Sequence, residues 1–120
     1  MEEDGAVRDA TRMVLAAEGF VVTTAASHAE ALRAACESPG FDVFISDCGY
    51  GGSAATSVQL IDALCAQLGT GLAVILLTWE ITPEIDALER QVRLRLASKP
   101  VYAERLLALV RELLGEPTLY

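Results

Sequence analysis

The sequence predicts an α/β fold: a parallel sheet covered by helices on both faces. Two observations carry this. Short apolar runs alternate with amphipathic stretches along all 120 residues, with no linker, repeat or low-complexity segment between them. Two of the runs, Asp42 to Ser46 and Ala73 to Leu77, are almost continuously apolar, as expected of strands buried on both faces.

In the first element, Val7, Ala10, Thr11, Val14 and Leu15 recur at helical spacing, so a helix is expected from about Gly5 to Glu18, stopped by Gly19. Phe20 to Thr24 is β-branched and reads as a strand. Ser27 with Glu30 three residues on forms a capping box for a helix that runs through Cys36 and ends at Ser38-Pro39-Gly40. Asp42 to Ser46 is the next strand, expected to be buried on both faces. Gly49 to Ser53 is a flexible loop, and it matches no Walker sequence. Thr56 to Leu68 is helical, with Val58, Ile61, Leu64, Cys65 and Leu68 on one side. Gly69 and Gly71 bracket the turn into the strand Ala73 to Leu77. Thr82 caps a helix with Pro83 at its first position and Glu84 in its first turn. Its stripe of Ile81, Ile85, Leu88 and Val92 is first a core face and second a partner face. Leu94 to Ala97 is a short strand. A last helix runs from about Tyr102 to Leu114, and Gly115 ends it.

Composition narrows the possibilities. At 52% hydrophobic and 22% charged residues, the chain can bury a core as a single domain, residues 1–120, and disorder is not expected. No apolar run approaches the length of a membrane span, and the acidic N-terminus is unlike a signal peptide. The net charge of −8 disfavours direct binding to nucleic acid or anionic lipid. It suits a divalent cation or a basic partner surface. Three widely spaced cysteines, Cys36, Cys48 and Cys65, do not form a disulfide or zinc pattern, and the expected compartment is the cytoplasm. Cys36 and Cys65 are read as core. Cys48 follows Asp47, where a redox role is the minor reading. His28, beside an N-cap, is read as solvated.

The chemistry lies at the ends of the strands. Arginine supplies eight of the nine basic residues; the one lysine stands in Lys99-Pro100. Lysine is a compact charge that can reach a single oxygen, where arginine is a fixed fork. Lys99 closely follows one apolar run, Asp47 ends another and Thr78 ends a third. Parallel sheets bind ligands at the carboxyl ends of their strands, so these three groups are expected to converge. The cluster Glu2-Glu3-Asp4 opens the chain. Grouped carboxylates persist when a cation neutralises them or one is protonated, and oxygen ligands suit Mg²⁺ or Mn²⁺. A carboxylate so placed can also be a nucleophile that forms an aspartyl-phosphate. Each group has a plainer reading as well. Asp47 alone fits a strand-end turn residue, and the acidic cluster alone fits a solvated helix cap.

Taken together, Glu2 to Arg8, Phe41 to Asp47, Val74 to Thr78 and Ser98-Lys99-Pro100 resemble the receiver domains of response regulators in two-component signalling. The stretches Asp47 to Ile61 and Thr78 to Pro83 look most like receivers attached to hybrid histidine kinases. The resemblance implies a flavodoxin-like, doubly wound, three-layer α/β/α sheet. Its usual first strand is missing or truncated here, leaving four strands and five helices. The given sequence then either starts late or has a sheet with an unusual centre.

By position, the resemblance makes Asp47 the phosphoacceptor and gives Thr78 and Lys99 the phosphoryl oxygens. It makes Glu3, Asp4, Asp47 and the backbone carbonyl of Gly49 the Mg²⁺ ligands. It makes the Lys99-Pro100 bond cis. The implied partners are a histidine kinase or histidine phosphotransfer domain, docking on the first helix and the loop after Lys99, and an output partner of unknown kind on the last strand and its flanking helices. Such a protein is a phosphotransfer acceptor and not an enzyme in the ordinary sense. No effector domain follows Leu114, which suits a stand-alone receiver or a piece of a larger kinase.

Three positions depart from the family pattern. Leu96 replaces the usual switch aromatic, Trp79 replaces a small residue after the threonine, and Gly51 replaces a proline. Trp79 and Leu96, with the missing first strand, motivate an alternative, a pseudo-receiver that keeps the fold as an interaction module. Haloacid-dehalogenase-type phosphatases also use Asp, Thr and Lys in this order. They want a second acid where Gly49 stands and an acidic pair after the lysine, and this chain has neither.

Overall fold

The computed structural model describes residues 1–2, 4–37, 40–47, 54–68, 72–78, 83 and 93–115. Their elements are α1 (Gly5–Ala17), α2 (His28–Glu37), β1 (Val43–Asp47), α3 (Ala54–Leu68), β2 (Ala73–Thr78), β3 (Arg93–Ser98) and α4 (Ala103–Leu113). The strands form one parallel sheet in the order β1-β2-β3. The helix expected after Thr82 lies outside the described residues apart from Pro83, as do Glu3, Cys48, Trp79 and the 49–53 loop.

Alternation along β2 divides the core in two. Val74 and Leu76 face Ile61 and Leu64 of α3 and Ala31 and Ala35 of α2. Ala73 and Ile75 face Leu15 of α1 and Leu106, Leu109 and Val110 of α4. The result is the expected three layers, with β2 central and fully covered. The polar ends of the elements are tied down separately. Asp4 caps α1 by accepting from the N–H groups of Ala6 and Val7 at 2.9 and 3.2 Å. In the capping box of α2, Ser27 Oγ accepts from the Glu30 N–H at 3.2 Å, and the Glu30 carboxylate accepts from the Ala26 N–H at 2.6 Å. Arg111 of α4 pairs with Glu18 beyond the end of α1 at 2.7 Å. Among the described residues, no helix is long and apolar enough to cross a membrane.

Four expectations need correction. The described sheet has three strands rather than four, because Phe20 to Thr24 is extended but pairs with no strand among the described residues, and Val21 stands 99% exposed; four of the five expected helices are described. β propensity there is real, but a strand needs a neighbour to complete its ladder. Among the described residues, Met1 and Glu2 are what bridges, by backbone hydrogen bonds, the space between the end of this segment at Ala25 and β1. For the same reason, β1 is half-buried rather than buried on both faces, with Ser46 alone fully covered. The helical stripe of α1 is likewise only partly covered: Leu15 is buried, but Val7 is 49% exposed. Cys36 is exposed and Cys65 half-buried. Cys36 stands next to Ala35, the residue of the last turn of α2 that is buried against α3, and one step along a helix turns a side chain about 100° away.

Candidate functional site

Parallel pairing brings the ends of the strands to one edge. Asp47 is the last residue of β1 and pairs in register with Leu77, while Thr78 ends β2 opposite Ser98. Lys99 therefore follows directly on the strand that flanks Thr78, and its N–H donates to the Thr78 carbonyl at 2.8 Å. The Lys99-Pro100 bond is cis. The Lys99 side chain crosses the end of β2 and forms an ion pair with Asp47, Nζ against Oδ1. Their side chains are only 16% and 12% exposed, and Thr78 is buried. Burial pulls the lysine pKa below its ordinary value, and the nearby charge of Glu2 opposes that shift.

The structure thus brings together Asp47, Thr78 and Lys99, the three residues expected at the strand ends. It gives Asp4 a definite other task, since its carboxylate caps α1. Glu3 and Gly49, the remaining residues expected to hold a metal, lie outside the described residues. Sequence reasoning passed over Glu2 in favour of its two neighbours. Yet Glu2 is, beside Asp47, an acid whose charge reaches Lys99, and its Oε1 also accepts from the Asp4 N–H at 3.0 Å. The signal for it was the capping rule itself: an Asp directly before a helix commits one oxygen to the helix, which makes the preceding acids worth weighing equally.

An ammonium held against a carboxylate at a shielded strand end can neutralise negative charge that arrives there. The oxygen donors nearby are of the kind that hard divalent cations prefer. Among the described residues, no three such side chains form a ready metal cluster.

Comparison with known structures gives this arrangement a context. No family model matches the chain, and no curated protein matches it significantly. Several solved structures do. The chemotaxis protein CheY4 of Vibrio cholerae aligns over 93% of this chain and 92% of its own, at 26% identity and a TM-score of 0.79. A CheY-like receiver domain protein of Methanospirillum hungatei aligns over 95% and 89%, also at 26% identity and a TM-score of 0.79. The chain has the CheY-like receiver-domain fold of response regulators. The receiver domain of NtrX from Brucella abortus shares this fold at 23% identity and a TM-score of 0.77, over 97% and 96% of the two chains. Within the receiver fold, β1, β2 and β3 with their trailing residues form the edge where Asp47, Thr78 and Lys99 meet. Leu96, at the position where receivers commonly carry an aromatic, packs against the layer formed by α2 and α3.

Proposed function

We propose that the chain is a phosphoacceptor receiver of two-component signalling that takes a phosphoryl group from a phosphohistidine onto Asp47. The observation that carries this reading is the meeting of Asp47, Thr78 and Lys99 at the carboxyl edge of one parallel sheet, with lysine and aspartate in contact. In the transfer, a carboxylate oxygen of Asp47 attacks phosphorus in line with the departing imidazole nitrogen. The N–P bond breaks as the O–P bond forms, and the imidazole keeps the electron pair. Lys99 compensates the charge on one phosphoryl oxygen, and the Thr78 hydroxyl hydrogen-bonds another.

Mg²⁺ supplies further neutralisation when bound. Asp47, Glu3, Asp4 and the Gly49 carbonyl are the proposed ligands, with Glu2 as a further candidate because its charge already acts on Lys99. The donor is a histidine kinase or histidine phosphotransfer domain, and the setting is the cytoplasm.

The test is labelling by acetyl phosphate in the presence of Mg²⁺. A base-labile phosphate is expected on the natural chain and none on Asp47→Asn. Persistent absence of label with every donor favours the pseudo-receiver, an interaction module that no longer switches. Two observations give that alternative weight: Leu96 is packed inward, and one oxygen of the Asp4 carboxylate, Oδ1, is engaged in the cap of α1.

A further inference from the structure

Arg8 closes the first turn of α1, two turns ahead of the buried Leu15 and on the same face of the helix. It is half-buried, while its neighbours Val7 and Asp9 are exposed. A charged side chain on the inner face of a helix needs a polar partner, and this one turns back along the helix to find it. Its Nη1 donates to the Glu2 carbonyl at 3.0 Å. The guanidinium passes close to Gly5, where a Cβ would stand 3.5 Å from Nη2.

Glu2 is thereby fixed at three groups. Its N–H donates to the Ala25 carbonyl at 3.0 Å, its carbonyl takes the guanidinium, and its Oε1 accepts from the Asp4 N–H at 3.0 Å. The Met1 carbonyl accepts from the Asp47 N–H at 3.0 Å. A run of bonds thus leads from the main chain of Asp47 through Met1 and Glu2 to Arg8. Of the groups that hold Glu2, Ala25 follows an extended segment that pairs with no described strand, and Asp4 moves with Glu2 itself. Arg8 rises from a packed helix. Arginine suits the task, because its planar fork gives a long-reaching cationic donor of fixed direction. Its charge also offsets the mutual repulsion of Glu2 and Asp4.

We propose that Arg8 is a positioning residue for the Asp47 edge: its guanidinium holds the acidic segment ahead of α1 in the arrangement a divalent cation needs, so that the ion binds without first ordering its ligands. The inference rests on the phosphoacceptor reading and adds to it a residue that acts through Glu2. Charge and geometry pull in opposite directions here. A guanidinium near the acids weakens cation binding by repulsion, and a clamp on their main chain strengthens it by preorganisation. The bond to the Glu2 carbonyl decides for geometry, since what it fixes is the backbone from which the carboxylates extend.

Two variants of the full chain test this. Arg8→Met keeps the apolar stem and removes the donor and the charge, and Arg8→Lys returns a cationic donor. Mg²⁺ affinity is measured by isothermal titration, and the initial rate of labelling by acetyl phosphate is measured against Mg²⁺ concentration. In Arg8→Met the Mg²⁺ dissociation constant should rise about tenfold, while the labelling rate at saturating Mg²⁺ changes by less than about twofold. Arg8→Lys should restore the affinity to within about threefold of the natural chain. Without metal, amide exchange at Asp47 should quicken in Arg8→Met and slow again in Arg8→Lys, because that N–H bonds to the Met1 carbonyl. Unchanged or tighter Mg²⁺ binding by Arg8→Met overturns the proposal. So does unchanged exchange at Asp47, or a loss confined to the rate at saturating Mg²⁺. If Arg8→Met does not fold, Arg8→Gln takes its place under the same criteria. A natural chain that neither binds Mg²⁺ nor takes label sinks the phosphoacceptor reading and this inference with it. A natural chain that does both, matched by Arg8→Met, sinks the positioning role alone.

Discussion

The amino group of Met1 makes a quantitative prediction about pH. Its pKa is lowered from 8.0 to about 6, chiefly because burial disfavours the ammonium, with Glu2 opposing the shift. The unfolded chain therefore binds a proton between these values that the folded chain has released. Stability must rise with pH across this window and fall as the solution is acidified through it. A shift of this size corresponds to about 3 kcal/mol in total, of which roughly 2 kcal/mol is realised between pH 6 and pH 8. At a typical urea dependence, the unfolding midpoint should move up by roughly 1 M. Lys99, whose pKa burial also lowers, adds a contribution of the same sign at higher pH. Urea melts at pH 6, 7 and 8 and constant ionic strength measure the effect. A chain acetylated at Met1 has no ammonium to titrate and should show little change over the same range. A midpoint that falls with rising pH, or an acetylated chain with the same slope as the free one, refutes the assignment of a desolvated amino group.

Three further predictions concern single side chains. Ile61 is fully buried between α3 and β2, so Ile61→Ala should cost about 2 to 5 kcal/mol in chemical denaturation. Ser46 is fully buried and its hydroxyl finds no partner among the described residues; Ser46→Ala should be neutral or stabilising by up to about 1 kcal/mol, and a clear loss in the same assay would reveal a partner. Asp4→Ala should cost about 1 kcal/mol through the lost cap of α1. Asp4→Asn keeps a capping side chain, so Mg²⁺ titration of that variant separates the cap from any metal role: unchanged affinity removes Asp4 from the ligand set.

β2 was the element most legible in the sequence. Its uninterrupted apolar run leaves no polar face, and the structure covers it on both sides. The convergence of Asp47, Thr78 and Lys99 was equally legible, because parallel strands with residues of that chemistry at their ends have nowhere else to put them. Phe20 to Thr24 misled for a physical reason. Valine and threonine favour extended backbone, but sequence preference says nothing about whether a second chain segment is there to bond with. Cys36 misled in a different way: helical spacing placed it on an apolar face, but the buried line of α2 runs through Ala31 and Ala35, and Cys36 lies to one side of it, exposed. The roles of Glu2 and Asp4 were interchangeable by type alone. Only the start of α1 at Gly5 distinguishes them, since it commits the residue just before it to the helix.

The bond from the Lys99 amide to the Thr78 carbonyl has a mechanical consequence. The amine and the hydroxyl ride on adjoining rungs of the same ladder and are coupled at their main chains. A new charge on Asp47 could swing the lysine tip by rotation about its own stem. It could not translate that residue's backbone without dragging the end of the central strand along, so displacement at this edge would be transmitted as a concerted shift of two neighbouring strands.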